Sequence, residues 1–179
     1  YFDKDQGFHF SWVVPAVRSV VQGSLQIGKR RVLLEGAGYH DHNWASVSLS
    51  KALHSWKWGR FHGDDFALVF ASVEGNDQTL FEGLAFFERI NGKFKKRFLQ
   101  FGIINMEIEM KKNGLGWYLE ITSADIYAKM NLKMIKPILQ PERGSDYSRY
   151  LSKTTGIIKT SLWKRDISGF MIHELKQLK

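Results

Sequence analysis

Apolar and polar residues alternate with a period of two through much of this chain. In the stretch INMEIEMK (104–111) every second residue is apolar, and DIYAKMNLKM (125–134) repeats the pattern. Such alternation is typical of β-strands that have one face on a core and the other in water. No segment shows the 3.6-residue period of a convincing amphipathic helix. The pattern therefore predicts an all-β protein.

Turn signals divide the chain into short segments. They are EGND (74–77), NG (91–92), KNGLG (112–116) and DISG (166–169), with a polar loop at ERGSDYS (142–148). The alternation between them predicts strands at 8–14, 18–27, 30–36, 55–62, 65–73, 79–89, 93–101, 103–111, 117–123, 125–135, 154–163 and 168–175. Many short strands with close turns favour an antiparallel sandwich or barrel, here as a single domain over residues 1–179.

The run GAGYHDHNWAS (36–46) carries the most concentrated chemistry in the sequence. On an extended strand its side chains fall on two faces, with Tyr39, Asp41 and Asn43 on one and His40, His42 and Trp44 on the other. Burial in an apolar barrel would disfavour the ionised form of Asp41, which could then donate a proton near neutral pH. Tyr39 and Asn43 could orient it. Alternatively, Asp41 and Asn43 satisfy the backbone amides of a strand end or turn.

The two histidines of this run raise the question of a metal site. His40 and His42 would present two imidazoles on one face of a strand. A catalytic zinc site needs a third protein ligand, and no spacing singles out His54 or His62 for that role. Ordinary hydrogen-bonded histidines explain the pattern better, and the sequence predicts neither a metal nor a cofactor.

A second aromatic element follows at HSWKWGRFHGDD (54–65). On a strand Trp56, Trp58 and Arg60 share a face, where two indoles and a guanidinium could stack on a flat or polyene ligand. The alternative is an aromatic core layer in which Arg60 ties down one end of a barrel.

The formal net charge of +8 changes the picture only slightly. It is compatible with an anionic partner or with a solvated basic surface. No Arg-rich tract or nucleic-acid motif occurs, so no nucleic-acid partner is predicted, while peripheral contact with a membrane stays open. The chain has no cysteine, which excludes disulfides, thiol nucleophiles and Cys-based zinc sites. A cytoplasmic or membrane-associated location is weakly favoured.

The two aromatic motifs together resemble a known family. GAGYHDHNWAS followed by WKWGRF (56–61) is similar to the carotenoid 1,2-hydratase family (hydroxyneurosporene synthase-like), whose members read G-x-G-Y-H-D-x-N-W-G and then W-x-W-G-[RH]. WVVPAVRSVVQGSLQI (12–27) also fits, and GFMIHEL (169–175) fits more loosely. The wider group includes AttH-type lipocalin-like proteins and fungal lipocalin-like Diels–Alderases.

The resemblance implies a fold and a partner. Members have two lipocalin-like (calycin-like) antiparallel β-barrel domains, with the Y-H-D-x-N-W motif near the start of the second. It follows from the resemblance that this chain is the C-terminal half of a two-domain protein, and that an N-terminal β domain is its partner.

The resemblance also implies a chemistry. Asp41 matches the acid that protonates a terminal isoprenoid double bond before water captures the tertiary cation, with Tyr39 and Asn43 as its supports. The predicted contacts with a hydrophobic small-molecule substrate are Trp12, His40, Trp44, Trp56, Trp58 and Arg60. An enzyme of this kind would be a hydro-lyase, or a cyclase or pericyclase that folds a polyene into a reactive conformer.

Two positions depart from the family pattern. Phe10 stands where the hydratases carry the histidine of a His-x-Trp element, and Ala45 stands where the motif usually has glycine. His9 is one residue out of step and would face the other way on a strand. The functional expectation is therefore acid-assisted hydration, isomerisation or cyclisation of an isoprenoid or polyene, and the alternative is a non-catalytic binder or carrier of a lipophilic molecule.

Overall fold

The computed structural model describes residues 2–3, 8–47, 53–75, 79–102, 106–139 and 147–177. Its strands are β1 (Phe2–Asp3), β2 (Phe8–Ile27), β3 (Arg30–Ala45), β4 (Ser55–Gly63), β5 (Phe66–Glu74), β6 (Thr79–Ile90), β7 (Lys93–Gly102), β8 (Met106–Asn113), β9 (Gly116–Ser123), β10 (Ile126–Leu139), β11 (Tyr147–Thr160) and β12 (Lys164–Gln177). No helix occurs in these ranges, and so none that is long and apolar enough to cross a membrane. The all-β prediction is confirmed.

The chain divides into two compact units. The smaller unit, Phe2–Ser46, is a three-stranded antiparallel sheet in the order β1-β2-β3. Most of it is the long hairpin β2–β3, which we call the ribbon. The ribbon turns at Gly28, whose φ of +58° lies in the left-handed region that glycine adopts without strain.

The larger unit, Val47–Lys179, contains a nine-stranded antiparallel sheet in the order β7-β6-β5-β4-β12-β11-β10-β9-β8. Its hydrophobic core joins side chains from distant strands of that order, such as Phe86 on β6 and Ile108 on β8. The sheet must curl upon itself to bring them together. The Ile108 N–H also donates a hydrogen bond of 3.3 Å to the Glu82 carboxylate, which links β8 directly to β6.

The interior of the curled sheet is densely packed over the described residues. Phe61, Leu119, Met130 and Met171 are completely buried. The packing also depends on glycine, because a Cβ built at Gly59 would lie 2.5 Å from the Phe70 ring. The buried side chains of the described residues therefore fill the interior of the curled sheet as a hydrophobic core, as side chains do in small barrels.

The structure joins two of the predicted strands into one. The predicted strands 8–14 and 18–27 form one strand, β2, which continues through Pro15. Two register shifts, between Val13 and Ala16 and between Ala16 and Ser19, accommodate the two extra residues of β2 opposite β3. Proline lacks an N–H donor and is tolerated in a strand at such irregularities, so Pro15 interrupted the pattern without ending the strand.

The prediction for the last hairpin was wrong in its boundaries. Strand β11 begins at Tyr147, inside the predicted polar loop, and ends at Thr160. Its buried positions include Ser148, Ser152 and Thr154, so no apolar alternation marks the strand. The rest of the predicted loop, 142–146, lies outside the described residues.

The turn that follows β11 lies at residues 161–163, not at DISG (166–169). Thr160 Oγ1 accepts hydrogen bonds from the backbone N–H groups of Leu162 and Trp163 and so stabilises this turn. Gly169 lies within β12, where the backbone carbonyl of His62 approaches so closely that a Cβ would clash. That glycine marks a close backbone approach between strands and not a turn.

Candidate active site

The ribbon brings Trp12, Tyr39 and Asp41 together, whereas the strand pattern alone places only Tyr39 and Asn43 beside Asp41. The Trp12 indole Nε1–H donates a hydrogen bond of 3.0 Å to Asp41 Oδ2, and the Tyr39 hydroxyl donates another of 3.0 Å to the same oxygen. All three side chains are half-buried. A carboxyl group held by two donors on one oxygen has a defined orientation.

Strand geometry explains why these side chains meet. Tyr39, Asp41 and Asn43 alternate along β3 and therefore share one face. Trp12 on β2 lies directly opposite Asn43 in the register, so its indole reaches diagonally to Asp41 on the same face. The bulge next to Val13 begins one residue further along β2. Bulges commonly re-aim side chains beside functional sites.

The other face of β3 carries His40, His42 and Trp44. The His42 and Trp44 rings are stacked with centroids 5.2 Å apart. Trp44 is 46% exposed. Across the described ranges, no group of three or more His, Asp or Glu side chains is arranged to hold a metal ion. Because side chains alternate along β3, His40 and Trp44, which were predicted as substrate contacts, lie on the face opposite Asp41.

The predicted contacts Trp56, Trp58 and Arg60 belong to the larger unit. They alternate along β4 and share a face, as expected. That face is opposite the one that carries Phe61 and the packed interior. The Trp56 ring lies 6.0 Å from the ring of Tyr147. Burial, together with the nearby Glu174 carboxylate, raises the pKa of Tyr147 to about 12.

The two departures from the family motif are neighbours in the structure. Phe10 and Ala45 lie directly opposite each other in the β2–β3 register. Both belong to the face that carries Trp12 and Asp41, because each is two residues from a member of that face. His9 points to the opposite face. Its carbonyl accepts a hydrogen bond of 3.0 Å from the Ser46 N–H, and its N–H donates one of 3.0 Å to Ser46 Oγ. The face that carries Asp41 therefore has the apolar Phe10 where the family has a histidine.

The interior of the larger unit holds a polar cluster that the sequence analysis missed. His173 is completely buried, and its Nε2 lies 3.1 Å from Ser152 Oγ. The aromatic rings of Trp117 and Tyr150 lie 4.7 and 5.4 Å from the imidazole ring. Burial lowers the pKa of His173 to about 4, so the imidazole is neutral at physiological pH. The alternation of GFMIHEL places His173 on the same face as Met171, which was the available signal.

Comparison with known proteins connects this site to a family. The profile of the family described as "Carotenoid hydratase CrtC" matches residues 3–100, which are 98 of the 179 residues. Among curated proteins, the hydroxyneurosporene dehydrogenase of Chlorobaculum tepidum is 37% identical over 83 residues. That match covers 41% of this chain and 22% of the relative, so this chain corresponds to only part of it.

Solved structures share the fold at low sequence identity. CghA, solved with Sch210972, superposes with a TM-score of 0.63 at 14% identity, covering 95% of this chain and 55% of CghA. An AttH-type protein from Nitrosomonas europaea gives a TM-score of 0.52 at 13% identity, covering 97% of this chain and 53% of its own. These likenesses confirm the lipocalin-like antiparallel fold, and the chain spans about half the length of these relatives. Because the carotenoid hydratase profile matches more than half of the sequence, the chain belongs to the carotenoid hydratase CrtC family.

Proposed function

We propose that this protein takes part in acid-assisted chemistry on a hydrophobic isoprenoid or polyene, with Asp41 as the proton donor. The observation that carries the proposal is the pair of hydrogen bonds from Trp12 and Tyr39 to one oxygen of Asp41. Membership in the carotenoid hydratase family supports a substrate of this class. Because the chain spans only about half of the solved relatives, the activity is proposed for the whole protein to which these residues contribute.

The geometry suits proton donation to an alkene. In the reactive form the proton is on Asp41 Oδ1, while Oδ2 accepts the hydrogen bonds from the indole and the phenol. Transfer of the proton to the less substituted alkene carbon breaks the O–H bond, forms a C–H bond and leaves a tertiary cation. The two donors stabilise the carboxylate that forms, and their aromatic rings can stabilise the cation.

The fate of the cation defines the reaction. In hydration, water forms a C–O bond and returns a proton to Asp41. In isomerisation, Asp41 removes a proton from a carbon next to the cation, and in cyclisation a second double bond attacks the cation before that proton is lost. Each route restores the acid and needs no other reagent than water. Phe10, in place of a basic side chain, adds no second proton acceptor to this face.

The experiment uses an acyclic carotenoid with a terminal trisubstituted double bond, solubilised in detergent. It is incubated in H₂¹⁸O or D₂O with the whole protein, expressed from the complete reading frame that encodes this chain. Hydration introduces ¹⁸O into the product, whereas isomerisation and cyclisation introduce deuterium without ¹⁸O. We expect Asp41→Asn to reduce turnover by about 10²–10⁴-fold, the usual contribution of a general acid, while the fold is kept. Trp12→Phe and Tyr39→Phe each remove one hydrogen bond to a charged group and should reduce turnover by about tenfold or more.

The matched control is Glu35→Gln, which removes an exposed carboxylate from the same strand and the same face. It should leave turnover unchanged. Full activity of Asp41→Asn would exclude the acid role. Saturable quenching of tryptophan fluorescence by the carotenoid without any product would favour the alternative of a lipophile carrier. The substrate contacts of His40, Trp44, Trp56, Trp58 and Arg60, and the supporting role of Asn43, stay predictions that single alanine variants can test by their effect on KM.

A further inference from the structure

Three neighbouring strands of the larger unit, β10, β11 and β12, expose a group of lysines on their outer side. We call the outer side of residues 127–133, 153–159 and 164–170 the basic face. The inner side of the same strands belongs to the packed core, where Ala128, Met130 and Ile158 are completely buried. Side chains alternate along a strand, and the outer side carries five exposed lysines, namely Lys129, Lys133, Lys153, Lys159 and Lys164.

The register brings these lysines together in like-charge pairs. Lys133 lies directly opposite Lys153, and Lys159 lies directly opposite Lys164. Cβ atoms of such pairs are about 4.5–5.5 Å apart, and like charges in this position destabilise a sheet. None of the five lysines forms an ion pair with a described carboxylate. Asp166 is the one acidic residue among the residues of this face, so five lysines and one aspartate give it a net charge of +4.

The acidic residue that borders the face is bound by other partners. Glu120 on β9 lies opposite Lys129. Its two carboxylate oxygens accept hydrogen bonds of 2.7 and 2.6 Å from the hydroxyls of Tyr118 and Tyr127. The Lys129 ammonium lies instead over the Tyr118 ring, 5.2 Å from its centroid. Glu120 therefore does not neutralise the lysines further along the face.

Protection of a sheet edge does not explain these charges. Lysine often blocks an exposed edge strand from pairing with another chain. The order of the sheet, however, places β10, β11 and β12 in its interior, between β4 and β9. Lys129, Lys133 and Lys153 are paired with a neighbouring strand on both sides. Their charges thus serve no role in edge protection, and a partner of opposite charge would offset their repulsion.

Apolar side chains project beside the lysines. Phe170 is 55% exposed and lies directly opposite Lys153 on the basic face. The turns at the two ends of the face expose Leu115, at 83%, and Leu162, at 89%. Leu162 lies in the turn between β11 and β12, and Leu115 precedes Gly116, which is the register partner of Lys133. Affinity for an anionic bilayer increases both with buried apolar area and with nearby basic residues.

We propose that the basic face docks on an anionic membrane surface. The lysines would lie among the lipid headgroups, and Phe170 and the two leucines would enter the boundary between headgroups and acyl chains. Every cation on the face is a lysine, whereas the planar fork of arginine is preferred for recognition of nucleic-acid phosphates. Exposed leucines likewise fit a lipid surface better than a nucleic acid. This proposal does not depend on the chemistry at Asp41.

Co-sedimentation with lipid vesicles tests the role of the charges. The whole protein, expressed from the complete reading frame that encodes this chain, is mixed with vesicles of phosphatidylcholine alone or with about 30% phosphatidylserine. We expect binding to the anionic vesicles only. Binding should be lost when NaCl is raised from about 0.1 M to about 1 M, because the Debye length falls from about 10 Å to about 3 Å. Lys133→Gln combined with Lys153→Gln should lower the partition coefficient about 25-fold, since each lysine contributes about fivefold.

The matched control removes the same charge from another part of the larger unit. Lys93→Gln combined with Lys96→Gln changes two exposed lysines of β7, at the far edge of the sheet, and should leave the partition coefficient unchanged. A second comparison concerns the apolar side chains. Leu162→Ser should weaken binding severalfold, whereas Leu99→Ser on β7 should not.

The absence of cysteine from the sequence allows a test of direct contact. Phe170→Cys places a thiol on the basic face, and Leu99→Cys places one on β7 as a control. Each is labelled with a polarity-sensitive fluorophore, and any cysteine outside these 179 residues is replaced by serine. We expect anionic vesicles to shift the emission to the blue at position 170 and not at position 99.

Several outcomes would overturn the proposal. These are no binding to anionic vesicles, full binding by the Lys133/Lys153 variant, an equal loss in the Lys93/Lys96 variant, and equal emission shifts at positions 170 and 99. Binding to a DNA duplex that the Lys133/Lys153 variant loses, without binding to vesicles, would assign the face to a nucleic acid instead. Carotenoid turnover is not a readout here, so failure of this proposal and failure of the acid role are distinguishable.

Discussion

Replacement of His173 should reveal how strongly the packed interior of the larger unit disfavours a charge. The imidazole is completely buried, with Nε2 beside Ser152 Oγ and with Nδ1 lacking a hydrogen-bond partner among the described residues. Burial lowers the pKa of His173 from 6.5 to about 4. Between these values the unfolded chain binds a proton that the folded chain does not bind.

The sign and size of the effect follow from this difference. Because the pKa is lower in the folded state, the stability contributed by a neutral His173 is fully present above about pH 6.5 and is lost as the pH falls toward 4. A shift from 6.5 to about 4 corresponds to roughly 3 kcal/mol in the free energy of unfolding. Against a typical total of about 5–15 kcal/mol, this is a large loss.

The assay is denaturant unfolding at several pH values between 7 and 4, followed by circular dichroism, for wild type and His173→Gln. Glutamine keeps a polar group near Ser152 but does not titrate in this range. The stability of wild type relative to the variant should fall by about 3 kcal/mol between pH 7 and pH 4. His173→Phe should remove the same pH dependence, whatever its stability at pH 7. A difference that is independent of pH, or an NMR titration of the His173 imidazole near pH 6.5, would refute the reasoning.

Two further substitutions test the packing and the closure of the curled sheet. Gly59→Ala should destabilise the protein by about 1–3 kcal/mol in denaturant unfolding, because the new Cβ would lie 2.5 Å from the buried Phe70 ring, whereas Gly23→Ala, with open space around its Cβ, should not. Glu82→Ala should lower the free energy of unfolding by about 1–3 kcal/mol and speed exchange of the Ile108 amide hydrogen, because that N–H loses its acceptor. Glu82→Gln should recover most of that free energy. Unchanged amide exchange in Glu82→Ala would argue against the Glu82 link between β6 and β8.

Much of the fold was readable because burial on one face of a strand leaves a period of two in the sequence. The predicted strands 103–111 and 125–135 overlap the observed β8 and β10, and the NG turn at 91–92 lies between β6 and β7. The predicted strand boundaries were wrong where the buried residues are polar, as in β11, and where a strand is irregular, as β2 is around Pro15. The start of β11 was hidden by Ser148 and Ser152, which are buried although serine is a polar residue.

The candidate site was predictable to the same extent and for the same reason. Alternation alone separates Tyr39 and Asp41 from His40 on opposite faces of β3, and the hydrogen bond from Tyr39 to Asp41 agrees with it. The hydrogen bond from Trp12 depends instead on the register between β2 and β3, which a single strand pattern does not contain. The family resemblance pointed to Trp12, whereas the contact itself required the paired strands.

The sequence by itself determined the all-β class, the two faces of the 36–46 motif and the family, because these depend on residue order along single strands. Only the tertiary structure decided how far the sheet curls and which serines and histidines enter the core. These properties depend on contacts between strands far apart in the chain, such as Glu82 with Ile108 and Ser152 with His173.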